Sequence, residues 1–376
     1  MLFALSEEQD ELASTVRTLL AKRSAGDAVR RAVGEPKGYD ESLWSVLCEQ
    51  IGAAGLAIPE EYGGAGFTLF ETHIVLEELG AALTPSPLLG SGVLAAHALL
   101  RSGDAAVCER LLPAIADGTT VAALAWTGDD GRWSTDSVPV RARDSDGWVL
   151  EGSCRYVLDG DHADVLLVLA ATEDGIGLFE VEPDQAGVRR DHTPGMDTTL
   201  RFASVTLEEA EANLISDTFA EELPGLRDIA CVAVSALQVG AAQRCLDMTV
   251  AYGKERVQFG RPIGSFQALK HRMADLLVEV ETSRSASWAA GWSAAQRDAD
   301  LPARAATAKA WCSDALNKVT SETIQMHGGI AITWEHDAQM YFKRAHATSQ
   351  LFGQPHQHRQ RLFDLYEFCQ VEISWS

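Results

Sequence analysis

The hydrophobic period of this chain changes twice along its length, and that pattern restricts the fold more than any other feature. Up to about residue 118 the apolar residues recur at helical spacing. Ser6-Glu-Glu-Gln9 reads as a capping box, and Leu12, Val16, Leu19 and Leu20 follow it along one helix face. Further helices are expected over residues 41–54 and 69–83, with a glycine-rich loop at 58–66 between them. From about Thr119 to Ala220 the period falls to two. Val138, Val140 and Ala142 alternate into the turn Asp144-Ser-Asp-Gly147, and Trp148-Val-Leu150 returns, which is a hairpin signature. Residues 164–169, 177–181 and 200–205 read as further strands. After Pro224 the helical period resumes over 232–252 and 268–297, with a third helix starting at Pro302 and a fourth over 311–326. The expectation is an α+β multidomain chain: a helical domain over 1–118, a small β-barrel or sandwich over 119–220, and a four-helix bundle over 221–376.

Bulk properties remove several function classes. The formal net charge of −23 argues against a nucleic-acid partner. No apolar run reads as a membrane span, and the first residues lack the basic segment of a secretory signal. Seven cysteines stand at 48, 108, 154, 231, 245, 312 and 369, with no Cys-x-x-Cys pair. They are expected to be buried free thiols in a reducing cytoplasm, not metal ligands or disulfides. No metal-ligand spacing, nucleophile triad or P-loop is visible.

Two C-terminal strings carry the chemistry. Arg256-Val-Gln-Phe-Gly-Arg-Pro-Ile-Gly-Ser-Phe-Gln267 joins a guanidinium that can grip a pyrophosphate to a flexible glycine turn. Gln325-Met-His-Gly-Gly329 adds a glycine pair that lets backbone approach a dinucleotide. Each residue alone has a plainer role: Arg256 and Arg261 suit a helix C-terminus, and Gly328-Gly329 suits a C-cap. Together, and inside this order of domains, the strings resemble the flavin-contacting motifs of the acyl-CoA dehydrogenase family. The resemblance covers nearly the whole chain, including Pro59-Glu-Glu-Tyr-Gly-Gly64, which is similar to a structural loop of that family. It implies FAD as cofactor, contacted across a subunit interface by Arg256, Phe259, Gln267, Gln325, Gly328 and Gly329. It also implies a dimer or tetramer acting on an acyl-CoA thioester.

The same resemblance exposes losses. α,β-Dehydrogenation needs a carboxylate within hydrogen-bond reach of the α carbon. In most of the family a glutamate within a "YEGT" string supplies it; here that position falls on Gly353, in Leu351-Phe-Gly-Gln-Pro355. A minority of the family places the glutamate on the first bundle helix, where alignment through Gly240 and Gln243-Arg-Cys-Leu-Asp247 puts Ala230. Neither side chain accepts a proton. The family's "WITNG" string reads Tyr156-Val-Leu-Asp-Gly160, which keeps an aromatic for the flavin in Tyr156 but replaces a hydroxyl by Leu158. Trp126 stands where a threonine should meet the flavin pyrimidine, and Cys231 where an arginine helps anchor CoA, although Asp228 is kept. His356 and His358 lie near the vacant base position and read as a solvated or interface pair in a turn. Asp364 and Glu367 read as the exposed face of a final helix.

The resemblance therefore implies a base-lacking subunit that completes the FAD site of a paralogous acyl-CoA dehydrogenase subunit. That arrangement is similar to actinobacterial heterotetramers acting on steroid side-chain thioesters. The alternatives are a homodimer or homotetramer with a displaced base, and a flavin monooxygenase or non-catalytic scaffold of the same fold.

Overall fold

In the computed structural model, which describes residues 4–366, six helices build the N-terminal part: α1 (Glu7–Arg23), α2 (Asp27–Val33), α3 (Glu41–Val46), α4 (Leu69–Ala82), α5 (Ala96–Ser102) and α6 (Ala105–Ala116). The capping box at Ser6 forms, its hydroxyl accepting from the Gln9 N–H. The helix expected over 41–54 is shorter: it continues α3 as a π turn and stops at Ile51, because Gly52 takes φ 71° and caps it. The loop at 58–66 contains one 3-10 turn, Glu60–Tyr62.

Seven strands follow: β1 (Ala122–Ala125), β2 (Val140–Asp144), β3 (Trp148–Leu158), β4 (Val165–Ala171), β5 (Ile176–Val181), β6 (Val188–Thr193) and β7 (Phe202–Ser216). The expected hairpin is β2–β3, with Arg143 opposite Val149. Pairing runs β4-β2-β3-β7-β5 and returns to β4, so the sheet closes on itself as a small barrel, with β1 beside β4 and β6 beside β7. Val140, Leu150, Cys154, Val168, Phe179 and Val205 fill its interior. Closure removes exposed strand edges. The alternation seen in the sequence is this inside–outside pattern.

The C-terminal part holds α7 (Leu223–Glu255), a two-stranded hairpin of β8 (Val257–Gln258) and β9 (Arg261–Pro262), then α8 (Gln267–Ala295), α9 (Leu301–His327), α10 (Ala338–Gln350) and α11 (Pro355–Leu365). The third and fourth helices expected from the sequence are one helix, α9. Pro302 lies in its first turn, where a missing N–H is harmless, and no glycine or proline interrupts the following Ala- and Thr-rich stretch. The fourth member of the bundle is α10. Contrary to the sequence expectation, α7 is long and apolar enough to cross a bilayer by length and composition. Its most apolar window is 89% buried inside the fold, which makes it the bundle's core helix. The six described cysteines are buried and unpaired, and Cys369 lies outside the described residues.

Candidate functional site

The ends of α7 and α9 meet and present one group of the sequence-predicted residues. Tyr252, in the last turn of α7, stacks on His327 at the end of α9, with ring centroids 4.5 Å apart. Arg256 is the C-cap of α7, its N–H donating to the Tyr252 carbonyl at 2.9 Å. Its side chain projects into solvent, and no carboxylate among the described residues pairs with it. Beyond it, Phe259 and Gly260 form the two-residue tip of the β8–β9 hairpin, with φ of 52° and 76°. Two consecutive positive φ values are those of a type I′ turn, which favours Asn or Gly at its first position. A phenylalanine there, 92% exposed, is both strained and undesolvated. Such a residue serves no purpose in the isolated subunit.

Gln267 opens α8 and stays exposed, its amide 2.7 Å from His271 Nε2. Gln325 is exposed near the end of α9, and Gly328 caps that helix at φ 65°. A Cβ at Gly328 or Gly329 would meet nothing within 4 Å, so the backbone there is open to a ligand. Open glycine backbone, an unpaired guanidinium and an exposed aromatic suit the pyrophosphate and rings of a dinucleotide.

Tyr156 does not belong to this group. It sits on β3 at a bulge between Cys154 and Val157, with φ 53° and 41% exposure. Its neighbours are Trp133 and Phe202, and Trp133 in turn packs against Phe352 at 5.3 Å. Phe352 follows the C-terminal end of α10, whereas Gly328-Gly329 precede its start, and that helix is about 20 Å long. Likewise Ala230 and Arg256 lie 26 residues apart on α7, about 39 Å along its axis. The cofactor residues read from the sequence thus fall into two sites at opposite ends of the bundle.

At the Tyr156 end several of the sequence-predicted positions are buried. Trp126, 3% exposed, donates its indole N–H to the Ser134 carbonyl at 2.8 Å. Trp126, Leu158, Phe202, Ala230, Cys231 and Phe352 all belong to one continuous buried apolar cluster. These buried apolar side chains stand at positions where the resemblance places flavin- and thioester-facing residues, and they offer no hydroxyl or guanidinium there. Asp228 forms a buried ion pair with Arg361 at 2.6 Å.

The expectation for His356 and His358 needs correction. Both lie on α11, not in a turn; His356 is exposed, but His358 is 2% exposed and donates from Nε2 to the Phe352 carbonyl at 2.9 Å. Burial holds its imidazole down at about 3, so it is neutral and its proton is engaged. It is no base. His73, also buried, is depressed to about 3 by the same cause. An unfolded histidine binds a proton below about pH 6.5, whereas these two do so only near pH 3. Their contribution to stability is therefore complete above pH 6.5 and is lost as pH falls toward 3. Thermal midpoints measured across that window should drop, and less steeply in His358→Gln than in the parent chain. Asp364 is exposed as expected, and Glu367 lies outside the described residues.

Sequence reasoning missed several buried charges, among them the Arg344–Asp197 ion pair at 2.6 Å and two groups near the vacated site. Lys309, fully buried on α9, bonds the Gly353 carbonyl at 2.9 Å, the Ser349 carbonyl at 3.1 Å and Ser313 Oγ at 3.1 Å. Burial lowers its ammonium to about 8. An alanine-rich helix around a lysine facing apolar residues was the available signal. Asp159 is 6% exposed, and burial raises its carboxyl to about 7, the range a general base needs. Yet it borders a crevice of about 10 Å3 lined by Leu89, Leu158 and Arg201, which has no room for a thioester. A larger cavity of about 860 Å3 opens between α1, α4, α7, α8 and α10; Ala230, Gly353, Tyr156 and the exposed arm are all absent from its lining.

Helical domain, closed barrel, bundle and exposed arm define a flavin-dehydrogenase architecture. The profile described as Acyl-CoA dehydrogenase, N-terminal domain, matches residues 6–119, and that described as Acyl-CoA dehydrogenase, C-terminal domain, matches residues 229–362. The chain belongs to the acyl-CoA dehydrogenase family. It is 43% identical to acyl-CoA dehydrogenase IpdE2 of Mycolicibacterium smegmatis over 95% of this chain and 98% of that protein. Against IpdE2 of Mycobacterium tuberculosis the identity is 44%, over 95% of this chain and 96% of the relative. Among solved structures it is similar to the Tcur3481–Tcur3483 steroid ACAD, with TM-score 0.86 and 32% identity over 96% of this chain and 98% of that one. The ChsE4–ChsE5 complex from Mycobacterium tuberculosis superimposes with TM-score 0.90 at 28% identity, covering 98% and 99% of the two chains.

Proposed function

We propose that this chain is the base-lacking subunit of a heteromeric acyl-CoA dehydrogenase and completes the FAD site of a paralogous catalytic subunit. One observation carries the reading: Arg256 and Phe259 are exposed beyond the C-terminal end of α7, while toward its other end the positions for a base and a CoA anchor are the buried Ala230 and Cys231. Phe259, 92% exposed and meeting Phe266 edge-on at 6.1 Å, suits insertion into a neighbouring subunit. FAD, when bound, supplies the hydride acceptor for oxidation of the Cα–Cβ bond. This chain's residues would bind and orient it: Arg256 would hold the pyrophosphate, the open Gly328-Gly329 backbone would allow close approach, and Phe259 would help to exclude water. The partner holds the thioester and the glutamate that takes the α proton. The two solved relatives that pair distinct subunits, one described as a steroid ACAD, support a heteromer and a bulky polycyclic acyl group.

The test is co-expression with a glutamate-bearing paralogue, followed by a flavin count. One FAD per pair of distinct subunits is expected, with substoichiometric flavin and no thioester oxidation by this chain alone. The competing reading is a homomeric enzyme with a displaced base; Asp159 is a buried carboxyl raised to about 7, but its crevice of about 10 Å3 admits no thioester as it stands. Turnover by the isolated chain that disappears in Asp159→Asn would establish that reading and overturn the first.

A further inference from the structure

The turn that stands in place of the base-bearing segment is held under constraint. Phe352 and Gly353 take consecutive positive φ values of 57° and 107°. A bulky residue in the left-handed region persists only where its surroundings impose it. Phe352 is 2% exposed, and its surroundings are buried donors from three helices. His358 of α11 donates to its carbonyl at 2.9 Å, and Cys231 Sγ of α7 approaches the same oxygen at 3.9 Å. Lys309 of α9 takes the next carbonyl, that of Gly353, at 2.9 Å. It also takes the Ser349 carbonyl at 3.1 Å, at the C-terminal end of α10, where a cation is favoured by the helix dipole. Cys231 and His358 are themselves in contact, Sγ to Nε2 at 3.8 Å.

We propose that Lys309, His358 and Cys231 form a latch that holds the Phe352–Gly353 turn closed across the vacated base position. The space is occupied as well as bonded. A Cβ added at Gly353 would lie 2.8 Å from His358 Nε2 and 3.5 Å from Gln357 Oε1. The latch therefore keeps this half-site shut to thioester and solvent. The same bonds fix the C-terminal end of α10, whose other end follows the Gly328-Gly329 loop, so Lys309 acts as a positioning residue for the arm. The proposal takes its purpose from the base-lacking reading, but its test concerns this chain's turn alone.

Cys231 is a built-in reporter, and Cys245, also fully buried and about 21 Å further along α7, is its control. The full chain is pulsed with iodoacetamide, and alkylation at each thiol is followed by peptide mass spectrometry. In the parent chain both thiols should label slowly and at similar rates. Lys309→Met should raise labelling of Cys231 at least about tenfold while leaving Cys245 unchanged, because opening confined to the turn exposes one thiol and not the other. If Lys309→Met does not fold, His358→Ala should give the same selective gain. Rapid labelling of Cys231 in the parent chain would overturn the latch. So would variants in which the two thiols accelerate together, or in which neither does. A chain that shows the selective gain but completes no partner's flavin site would keep the latch and sink the functional reading.

Discussion

Replacing Arg256 by alanine should strip most of the FAD from the assembled heteromer while leaving each subunit folded. The side chain is exposed and unpaired by any described carboxylate, so its removal disturbs no internal contact. A charge-assisted hydrogen bond contributes about 1.5–3 kcal/mol, and a guanidinium on a pyrophosphate makes such bonds in pairs. Retention should therefore weaken roughly tenfold to a hundredfold, read as flavin fluorescence released on dilution. Arg256→Lys should recover only part of it, because a point charge lacks the planar fork. Thermal unfolding of the isolated chain should not move. Unchanged flavin content with a lowered midpoint would show that Arg256 serves only as the C-cap of α7, a role its backbone position already gives it.

Gly353→Glu restores the family's base in the sequence and should restore nothing in the protein. The backbone there has φ 107°, which side chains other than glycine rarely adopt, and the new Cβ would meet His358 at 2.8 Å. Left-handed strain costs about 1–2 kcal/mol and overpacking about 1–3 more. The expected outcome is a chain destabilised by several degrees in thermal unfolding, with no acyl-CoA oxidation by itself. Adding His358→Ala should recover part of the lost stability by clearing the volume. Activity would still be absent, because the buried Trp126 and Leu158 stand where the resemblance calls for small hydroxyl-bearing residues against the flavin. A single Gly353→Glu variant that binds FAD and oxidises a thioester would sink the view that this half-site is structurally closed.

Much of this was legible from residue order. The double change of period placed the barrel between two helical parts, and the hairpin at Asp144–Gly147 was set by turn chemistry that acts over a few residues. The residues of the arm, Arg256, Phe259, Gly328 and Gly329, stood out in the sequence as short motifs whose types would suit a dinucleotide, and the structure places Arg256, Phe259 and both glycines in the open. The length of α9 was misjudged, since a helix continues wherever nothing stops it and tertiary packing decides between one helix and two. His358 was misplaced because a Gln- and Arg-rich stretch reads as solvated until the turn that buries one of its faces is known. Lys309 and Asp159 were invisible for a related reason: burial of a charge is a property of neighbours far away in sequence.

Residue order by itself determined the family architecture, the motifs of the arm, and Gly353 and Ala230 as the positions at which the resemblance would look for a proton acceptor. These are local or alignable properties, encoded in side-chain type and spacing. Only the tertiary structure decided that Ala230 and the arm stand about 39 Å apart along α7, and that the Phe352–Gly353 turn is held by buried donors. Distance and occupancy arise when α7, α9, α10 and α11 pack together, because donors from separate helices converge on two carbonyls that no single stretch of sequence brings near them.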